Sequence, residues 1–173
     1  KDAGLDSQFY TFYGSGLGAP AAIGEAGIGK LISVTEWHLN LNQEESNKEE
    51  EAFFLGYQEK YSDGGQVPYY YGRIGTTMNM LALAIDKAGS ASPKAIAYAL
   101  EGMEYETPYG MVLMRAEDHQ LIQPLYLSVY AKAGEGTVKY DAENSGVGFK
   151  TLKRIEAAAT AMPTTCQMKR PPK

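Results

Sequence analysis

The chain is poor in residues on which whole classes of protein depend. Its 173 residues include one cysteine, one tryptophan and two histidines. The single cysteine, Cys166, excludes an internal disulfide. No apolar run approaches the roughly 18 residues that a membrane-spanning helix needs. The sequence therefore indicates neither a disulfide-stabilised scaffold nor an integral membrane segment.

Positive charge is also scarce. Sixteen Lys and Arg stand against 21 Asp and Glu, which gives a net charge of -5 and a pI of about 5.1. An acidic protein is not attracted to nucleic acid or to an anionic membrane surface, so both are disfavoured as partners. The composition is otherwise ordinary, with 44% hydrophobic and 21% charged residues. It is that of a globular protein long enough to bury a core.

The most distinctive stretch is residues 8–18, QFYTFYGSGLG. The apolar run Phe9–Tyr13 ends in glycines, which predicts a buried strand followed by a loop. In an open α/β sheet, ligands bind where strands end. The loop lacks the spacing of the nucleotide-binding fingerprints and of a hydrolase nucleophile elbow. Two interpretations remain: a tight turn, or a loop whose backbone N–H groups and Ser15 hydroxyl face a small ligand.

Downstream, strand-like and helix-like patterns follow one another, which is typical of the α/β class. The predicted strands are Lys30–Trp37, Gly110–Arg115, Ile122–Lys132 and Thr137–Tyr140. The predicted helices are Ala19–Ala26, Glu44–Ser62, Ile74–Ala88, Pro93–Leu100 and Thr151–Ala161, followed by an extended tail, Pro163–Lys173.

Two of these helices predict which residues face the core. Apolar residues of the Ile74–Ala88 helix recur at spacings of three and four, so they are predicted to face inward: Ile74, Met78, Leu81, Ile85 and Ala88. In Glu44–Ser62 the same spacing puts three aromatics on one face: Phe54, Tyr57 and Tyr61. The acidic residues that crowd the front of that helix suit its dipole, and we interpret them as a solvated face.

Other candidate residues allow two interpretations each. Trp37 and His38, at the end of a predicted strand, either line a ligand site or pack, and His38–Gln43 is predicted to be a polar loop. Glu117–His119 either ligates a metal or forms a polar loop, and no second cluster completes a metal site. Tyr69–Tyr71 forms either the wall of a small-molecule cleft or ordinary packing. None of these signals identifies an enzyme.

Taken together, segments spread along the chain resemble one family. They are Asp2–Leu5 with the aromatic strand and glycine loop, Pro68–Gly75, Met80–Ser90, Pro93–Leu100, Tyr109–Arg115 and His119–Tyr130. In these segments the chain resembles the C-terminal half of a type I periplasmic substrate-binding protein of the branched-chain amino-acid ABC transporter family. The stretch Leu81–Leu100 is the most specific part, and the resemblance runs from Lys1 to about Tyr140.

The resemblance implies a partial type I periplasmic-binding-protein fold. Such proteins have two Rossmann-like, three-layer α/β/α lobes joined by crossing strands, and ligand closes the cleft between the lobes. On this basis residues 1–67 are the C-terminal part of the second lobe and residues 68–122 are part of the first lobe. Residues 123–173 are a crossing strand, a return to the second lobe and a tail. The architecture is an incomplete pair of lobes, and the isolated chain is expected to self-associate.

The same resemblance implies a function without catalysis and without a cofactor. The expected role is that of a periplasmic or other extracytoplasmic solute-binding protein, which passes a small ligand to the membrane permease of an ABC importer. The alternative is a ligand-sensing or regulatory interaction domain of the same fold. The candidate ligand-binding residues are Tyr13, Gly14, Ser15, Gly16, Tyr71 and Arg73.

Ser15 departs from the family's pattern. Amino-acid binders of this family place a carboxylate after the strand to meet the ligand's ammonium group, and Ser15 aligns there. A serine cannot supply that charge pair. A neutral or anionic ligand, such as an amide or an organic acid, therefore gains weight. In the same way Tyr71 is expected to replace the family's aromatic residue, which aligns at or near Gly75.

Overall fold

A computed structural model describes residues 7–12, 14–61 and 71–172, without the side chain of Tyr71. The expectations for Tyr13, Tyr69 and Tyr70 lie outside the described residues. The chain forms two compact units. The first combines Lys1–Tyr71 with Tyr126–Arg154, and the second combines Gly72–Leu125 with Ile155–Lys173. The assignment of these stretches to lobes of the type I fold stays a prediction.

The first unit contains a mixed four-stranded sheet in the order β1-β2-β6-β7. Strand β1 (Phe9–Thr11) pairs in parallel with β2 (Leu31–Thr35), and Phe9 lies opposite Leu31. Strand β2 pairs antiparallel with β6 (Leu125–Lys132), and Ser33 lies opposite Ser128. Strand β7 (Val147–Ile155) follows β6 in the sheet.

Strand β1 lies at an edge of the described sheet. The prediction of a strand at this position is confirmed, but the prediction that it is buried is wrong. Phe9, Tyr10 and Phe12 expose 56%, 64% and 70% of their surface. The reason is that β1 has a neighbour on one side only among the described strands. In β2, by contrast, Ile32 and Ser33 are buried, as the sequence predicts for the middle of that strand.

Four helical segments belong to the first unit: α1 (Ala19–Ile23), a 3-10 turn (Gly24–Gly27), α2 (Leu41–Glu44) and α3 (Lys48–Tyr61). Helix α3 begins later than predicted, because the Asn47 side chain accepts a bond of 3.2 Å from the Glu50 amide and caps it. Only Phe54 of the predicted aromatic face is buried; Tyr57 and Tyr61 are exposed.

Two predictions near the C-terminus are wrong. Residues 151–155 belong to β7 and only Ala157–Thr160 forms a helix, α6, because pairing with β6 overrides the local helical pattern. Thr137–Tyr140 is not a strand but part of the connection between β6 and β7. Its backbone is held instead by Asn40, whose side-chain amide donates to the Tyr140 carbonyl at 3.0 Å and accepts from the Tyr140 amide at 2.7 Å.

The second unit packs two helices with a three-stranded antiparallel sheet. The helices are α4 (Tyr71–Ala88) and α5 (Pro93–Leu100), and the sheet is β3 (Glu104–Thr107), β4 (Gly110–Met114) and β5 (Leu121–Ile122). Its core consists of Met80, Ala84, Ala99, Met103 and Val112. None of the helices in the described ranges combines the length and apolar character needed to cross a membrane.

Helix α4 is amphipathic, as predicted, but its predicted inward face is confirmed only for Ala88, which packs against the core, and in part for Leu81, which is half-buried. Ile74, Met78 and Ile85 are exposed, whereas Met80 and Ala84 are buried and Ala88 packs beside them. Helix α5 contributes Ala99 to the same core, with Ile96 and Leu100 packed against it, and the Lys87 ammonium reaches the Ala99 carbonyl at 3.0 Å.

We expect Phe54→Ala to lower the free energy of unfolding by about 3–5 kcal/mol. The ring is 1% exposed and lies 5.9 Å from the Trp37 ring and 5.5 Å from the Tyr140 ring, centroid to centroid. Phe53→Ala is the matched control, because Phe53 is 61% exposed. It should cost about 1 kcal/mol or less. Urea unfolding of both variants measures the difference, and equal losses would contradict the assignment of Phe54 to the core.

Candidate ligand-binding site

The glycine loop, residues 14–18, follows β1 and leads into α1. Gly14 and Ser15 are buried, and Gly16 is half-buried. The predicted loop is therefore confirmed as a loop, and three of the six candidate residues lie together in it. Its position is the carboxyl end of the parallel pair β1–β2, which is the edge of an α/β sheet where ligands bind.

The loop is held from below by the sheet. The Tyr130 hydroxyl, from β6, donates a hydrogen bond to the Gly14 carbonyl. A Cβ on Gly14 would lie 2.5 Å from both Leu31 Cδ2 and Thr11 Cγ2, so only glycine fits there without displacing neighbours. Burial raises the pKa of Tyr130 to about 12, and the nearby negative charge of Glu143 adds to the effect.

Ser15 points toward the protein interior. It exposes 4% of its surface, and its hydroxyl oxygen lies 2.9 Å from that of Ser33 in β2. A hydroxyl donates one hydrogen bond and accepts two, so Ser15 retains bonding capacity beyond Ser33. A bond from Ser15 to a ligand stays a prediction.

A cluster of buried hydroxyls extends this polar floor into the sheet. Ser128 lies opposite Ser33 in the β2–β6 register, and both residues are fully buried. The Ser128 hydroxyl has no hydrogen-bond partner within the described part of the chain. Serines in the middle of apolar strands are the sequence signal that could have located this cluster, and the sequence-based reasoning did not use it.

Helix α1 depends on a remote residue for its cap. Its N-cap, Gly18, has a φ of 83° and no side chain that could accept a hydrogen bond. The Glu143 carboxylate takes that role, accepting from the Gly18 amide at 2.7 Å and from the Ala21 amide at 3.1 Å. Glu143 was missed by the sequence-based reasoning, because nothing local connects it with residues so far away in the chain.

The alternatives for Trp37 and His38 are resolved as packing. Trp37 is 3% exposed and His38 1%. His38 Nε2 lies 2.8 Å from Thr151 Oγ1, and Nδ1 accepts from the Asn40 amide at 3.3 Å. The prediction of a polar loop at His38–Gln43 is confirmed for residues 38–40, which lie outside the helices and strands, and is wrong for residues 41–43, which belong to α2. His38, Asn40 and Asn42 are all buried.

The acidic residues before and within α3 form a solvated face only in part: Glu45 and Glu49 are exposed, whereas Glu44, Glu50 and Glu51 are half-buried. Glu45 pairs with Arg154 at 3.1 Å, and Glu51 pairs with Lys139 at 2.8 Å. Burial alone would raise the pKa of Glu44, but hydrogen bonding and charge from His38, with bonds from Thr151, hold it below its ordinary value. These carboxylates therefore join segments of the first unit that are far apart in sequence.

Tyr71 and Arg73 lie at the start of α4. Arg73 is exposed, and its carbonyl accepts a bond of 2.9 Å from Thr77 Oγ1. The two units divide the chain between Tyr71 and Gly72. Whether Tyr71 and Arg73 share a ligand with the glycine loop stays a prediction.

Charged side chains of the loop that contains His119 are paired with one another or with Glu101. His119 Nε2 lies 3.0 Å from Glu101 Oε1, and Asp118 Oδ2 lies 2.6 Å from the Arg115 guanidinium. Hydrogen bonds from Arg115 and Thr164 hold the pKa of Asp118 well below its ordinary value. Across the described ranges, no group of three or more His, Cys, Asp or Glu side chains is arranged to hold a metal.

A profile of the periplasmic binding protein family matches residues 1–135. The chain therefore belongs to that family. A search of curated proteins found no match.

Solved structures carry the same fold. The leucine-, isoleucine-, valine-, threonine- and alanine-binding protein from Brucella ovis, in its closed conformation, is 24% identical, with a TM-score of 0.78 over 98% of this chain. An amino-acid ABC transporter substrate-binding protein from Pseudomonas fluorescens Pf-5 is 23% identical, with a TM-score of 0.57 over 87% of this chain. A solute-binding protein of an ABC transporter from Rhodopseudomonas palustris BisB5, in complex with 3,4-dihydroxybenzoic acid, is 18% identical, with a TM-score of 0.57 over 79%.

These likenesses confirm the predicted fold class, a partial type I periplasmic-binding-protein fold. The chain spans 42% of the length of the Brucella protein, 38% of the Pseudomonas protein and 33% of the Rhodopseudomonas protein.

We expect Tyr130→Phe to lower the free energy of unfolding by about 1–3 kcal/mol at pH 8, since the buried Gly14 carbonyl loses its donor. The difference should shrink above pH 10. The folded protein keeps the Tyr130 proton up to a pKa of about 12, while an unfolded chain releases it near 10. The contribution of the Tyr130 hydroxyl to the free energy of unfolding is therefore lost as the pH rises from the unfolded pKa to the folded pKa. Tyr130→Phe lacks this hydroxyl, so its stability does not change for that reason.

Urea unfolding between pH 8 and pH 12 measures both effects. Tyr10→Phe is the control, because Tyr10 is 64% exposed, and it should stay within about 0.5 kcal/mol of the wild type at pH 8. A constant difference between Tyr130→Phe and the wild type across the range would show that the raised pKa is not coupled to folding.

Proposed function

We propose that this chain forms part of an extracytoplasmic solute-binding protein that serves an ABC importer. The observation that carries the proposal is membership of the periplasmic binding protein family, together with a tightly supported glycine loop at the carboxyl end of a parallel strand pair. The role is binding rather than catalysis. The partner is the membrane permease of the importer, and the location is periplasmic or at the cell surface.

The proposed ligand is a small polar molecule such as an amino acid, an amide or an organic acid. Residues 14–18 contain no carboxylate that could meet an ammonium group. The nearby Glu143 carboxylate is engaged by the Gly18 and Ala21 amides. Both facts favour a neutral or anionic ligand over a free amino acid. The Rhodopseudomonas protein, whose structure contains an aromatic acid, is one precedent in the same fold.

The proposed ligand-binding residues are Tyr13, Gly14, Ser15 and Gly16 of the glycine loop, with Tyr71 and Arg73 at the start of α4. The support for Gly14, Ser15 and Gly16 is their position after β1, where Tyr130 bonds Gly14 and Ser33 bonds Ser15. Arg73 is proposed because a guanidinium suits a carboxylate-bearing ligand, with which it forms paired hydrogen bonds.

The proposal is tested by isothermal titration of the full-length protein against amino acids, their amides and aromatic acids. We expect binding in at least one class. Ser15→Ala should then weaken that binding by about 1 kcal/mol, the size of one neutral hydrogen bond. Thr77→Ala is a control on an exposed hydroxyl that bonds only within α4 among the contacts described. No heat in any class would remove the proposal and favour a regulatory interaction domain.

We propose in addition that the chain, when expressed alone, associates through β1. Among the described strands β1 lies at the edge of the sheet, and the three exposed aromatics in or next to it offer apolar surface to a second copy. Light scattering should give a mass above that of one chain at micromolar concentration. Tyr10→Lys should lower it, because an edge lysine opposes strand pairing. Tyr61→Lys, at a tyrosine of 60% exposure on α3, should not. A monomer at every concentration would refute the proposal.

A further inference from the structure

We propose that Glu143 is a positioning residue for the ligand loop: it holds Gly14–Gly18 in the conformation that receives the ligand. The inference rests on the proposed function of that loop. It concerns a residue outside the stretch 1–135 that the family profile matches.

The first step of the argument is the set of backbone donors at the start of α1. The Ala19 amide bonds to the Gly16 carbonyl at 3.0 Å. Pro20 has no amide proton. The amides of Gly18 and Ala21 remain, and both donate to the Glu143 carboxylate, one to each oxygen, at 2.7 and 3.1 Å. Because its N-cap residue is a glycine, α1 has no side-chain cap of its own. The Glu143 carboxylate caps it from 125 residues away.

The second step is the construction of the loop that carries Glu143. Asp141 accepts from the Ser145 amide at 2.9 Å and from the Gly146 amide at 2.7 Å, which closes the turn. Glu143 and Asn144 occupy left-handed conformations, with φ of 60° and 54°. Non-glycine residues adopt this region at a cost in free energy, and a charge-assisted bond to two backbone amides offsets it. The bonds of Asp141 and the left-handed conformation of Glu143 therefore place the Glu143 carboxylate at the start of α1.

The third step is the set of contacts that hold the ligand loop. Tyr130 bonds Gly14 and Ser33 bonds Ser15, both from strands of the sheet beneath. Glu143 bonds the other end of the loop, at Gly18, from the β6–β7 connection. Within the described part of the chain, the remaining backbone bonds of Gly16 and Gly18 are those from the Ala19 and Ala22 amides of α1. Glycine restricts its backbone least of all residues, so these bonds leave the loop more freedom than Glu143 does. The carboxylate thus fixes the end of the loop that the sheet does not reach.

Hydrogen exchange of the full-length protein, measured by NMR without any ligand, tests whether Glu143 protects the amides of Gly18 and Ala21. In Glu143→Ala the amides of Gly18 and Ala21 should exchange about 10-fold faster or more, the loss expected for a bond to a charged acceptor. Glu143→Gln keeps one acceptor oxygen and should show a smaller rise. Glu135→Ala, on the same connection with its carboxylate paired to Lys132, should leave both amides unchanged. The Val112 amide, in the second unit, should be unchanged in all three, which separates a local effect from global unfolding.

Titration of the same variants with leucine and with 4-hydroxybenzoate tests the positioning role. A probe that binds the wild type should bind Glu143→Ala about 3- to 10-fold more weakly, because fewer molecules hold the binding-competent loop, and Glu143→Gln should restore part of the loss. Unchanged exchange at Gly18 and Ala21 would refute the proposal that Glu143 holds these two amides. Faster exchange with unchanged affinity would overturn the positioning role.

A failure of the proposed function gives a different result from a failure of the positioning role. If neither probe binds the wild type, the binding proposal loses support, and the positioning role is judged from the Ser15 and Gly16 amides. Faster exchange there in Glu143→Ala supports it, and unchanged exchange refutes it. If Glu143→Ala does not fold, the same comparisons are made with Glu143→Gln, which preserves the shape of the side chain.

Discussion

The hydrogen bond from the Tyr130 hydroxyl to the Gly14 carbonyl is the contact on which the rest of the first unit depends. Tyr130 lies on β6, one of the two inner strands of the sheet, and its ring packs edge-on against Phe149 with 5.1 Å between centroids. A Cβ on Gly27 would lie 2.6 Å from the same ring, so the 3-10 turn can approach only because it has a glycine there. One side chain thus ties together the ligand loop, the 3-10 turn and β7.

Polar contacts join segments of the first unit that are far apart in the sequence. Asn40 holds the backbone of Tyr140, His38 reaches Thr151, and Glu143 caps α1. Each joins segments about 100 residues or more apart. Buried polar groups are costly unless they are paired, so the contacts of the buried Asn40 and His38 favour one arrangement of the chain over others. They also explain why carboxylates near α3 that look solvated in the sequence are engaged in the fold.

The second unit follows a simpler logic of close packing. Met80 and Ala84 of α4 and Ala99 of α5 form its core with Met103 and with Val112 of the antiparallel sheet. The chain leaves this unit after Leu125 and returns to it at Ile155, so β6 and β7 of the first unit are bracketed by segments of the second.

Local signals determined much of this protein. The α/β class, the glycine loop after an aromatic strand, helices α4 and α5, and the family resemblance all follow from patterns that span a few to about twenty residues. The absence of a carboxylate after β1 can also be read directly from Ser15. Such features are decided by short-range periodicity and backbone preference, which act wherever the chain goes.

Tertiary structure alone decided the rest. It buried Ser15 against Ser33, left Phe9 and Tyr10 exposed, turned the alanine face of α4 inward and extended β7 through a stretch with a helical pattern. Above all it brought Glu143 to Gly18. The reason is physical: burial and pairing depend on which distant segment lies alongside, and no pattern within twenty residues encodes a neighbour 125 residues away.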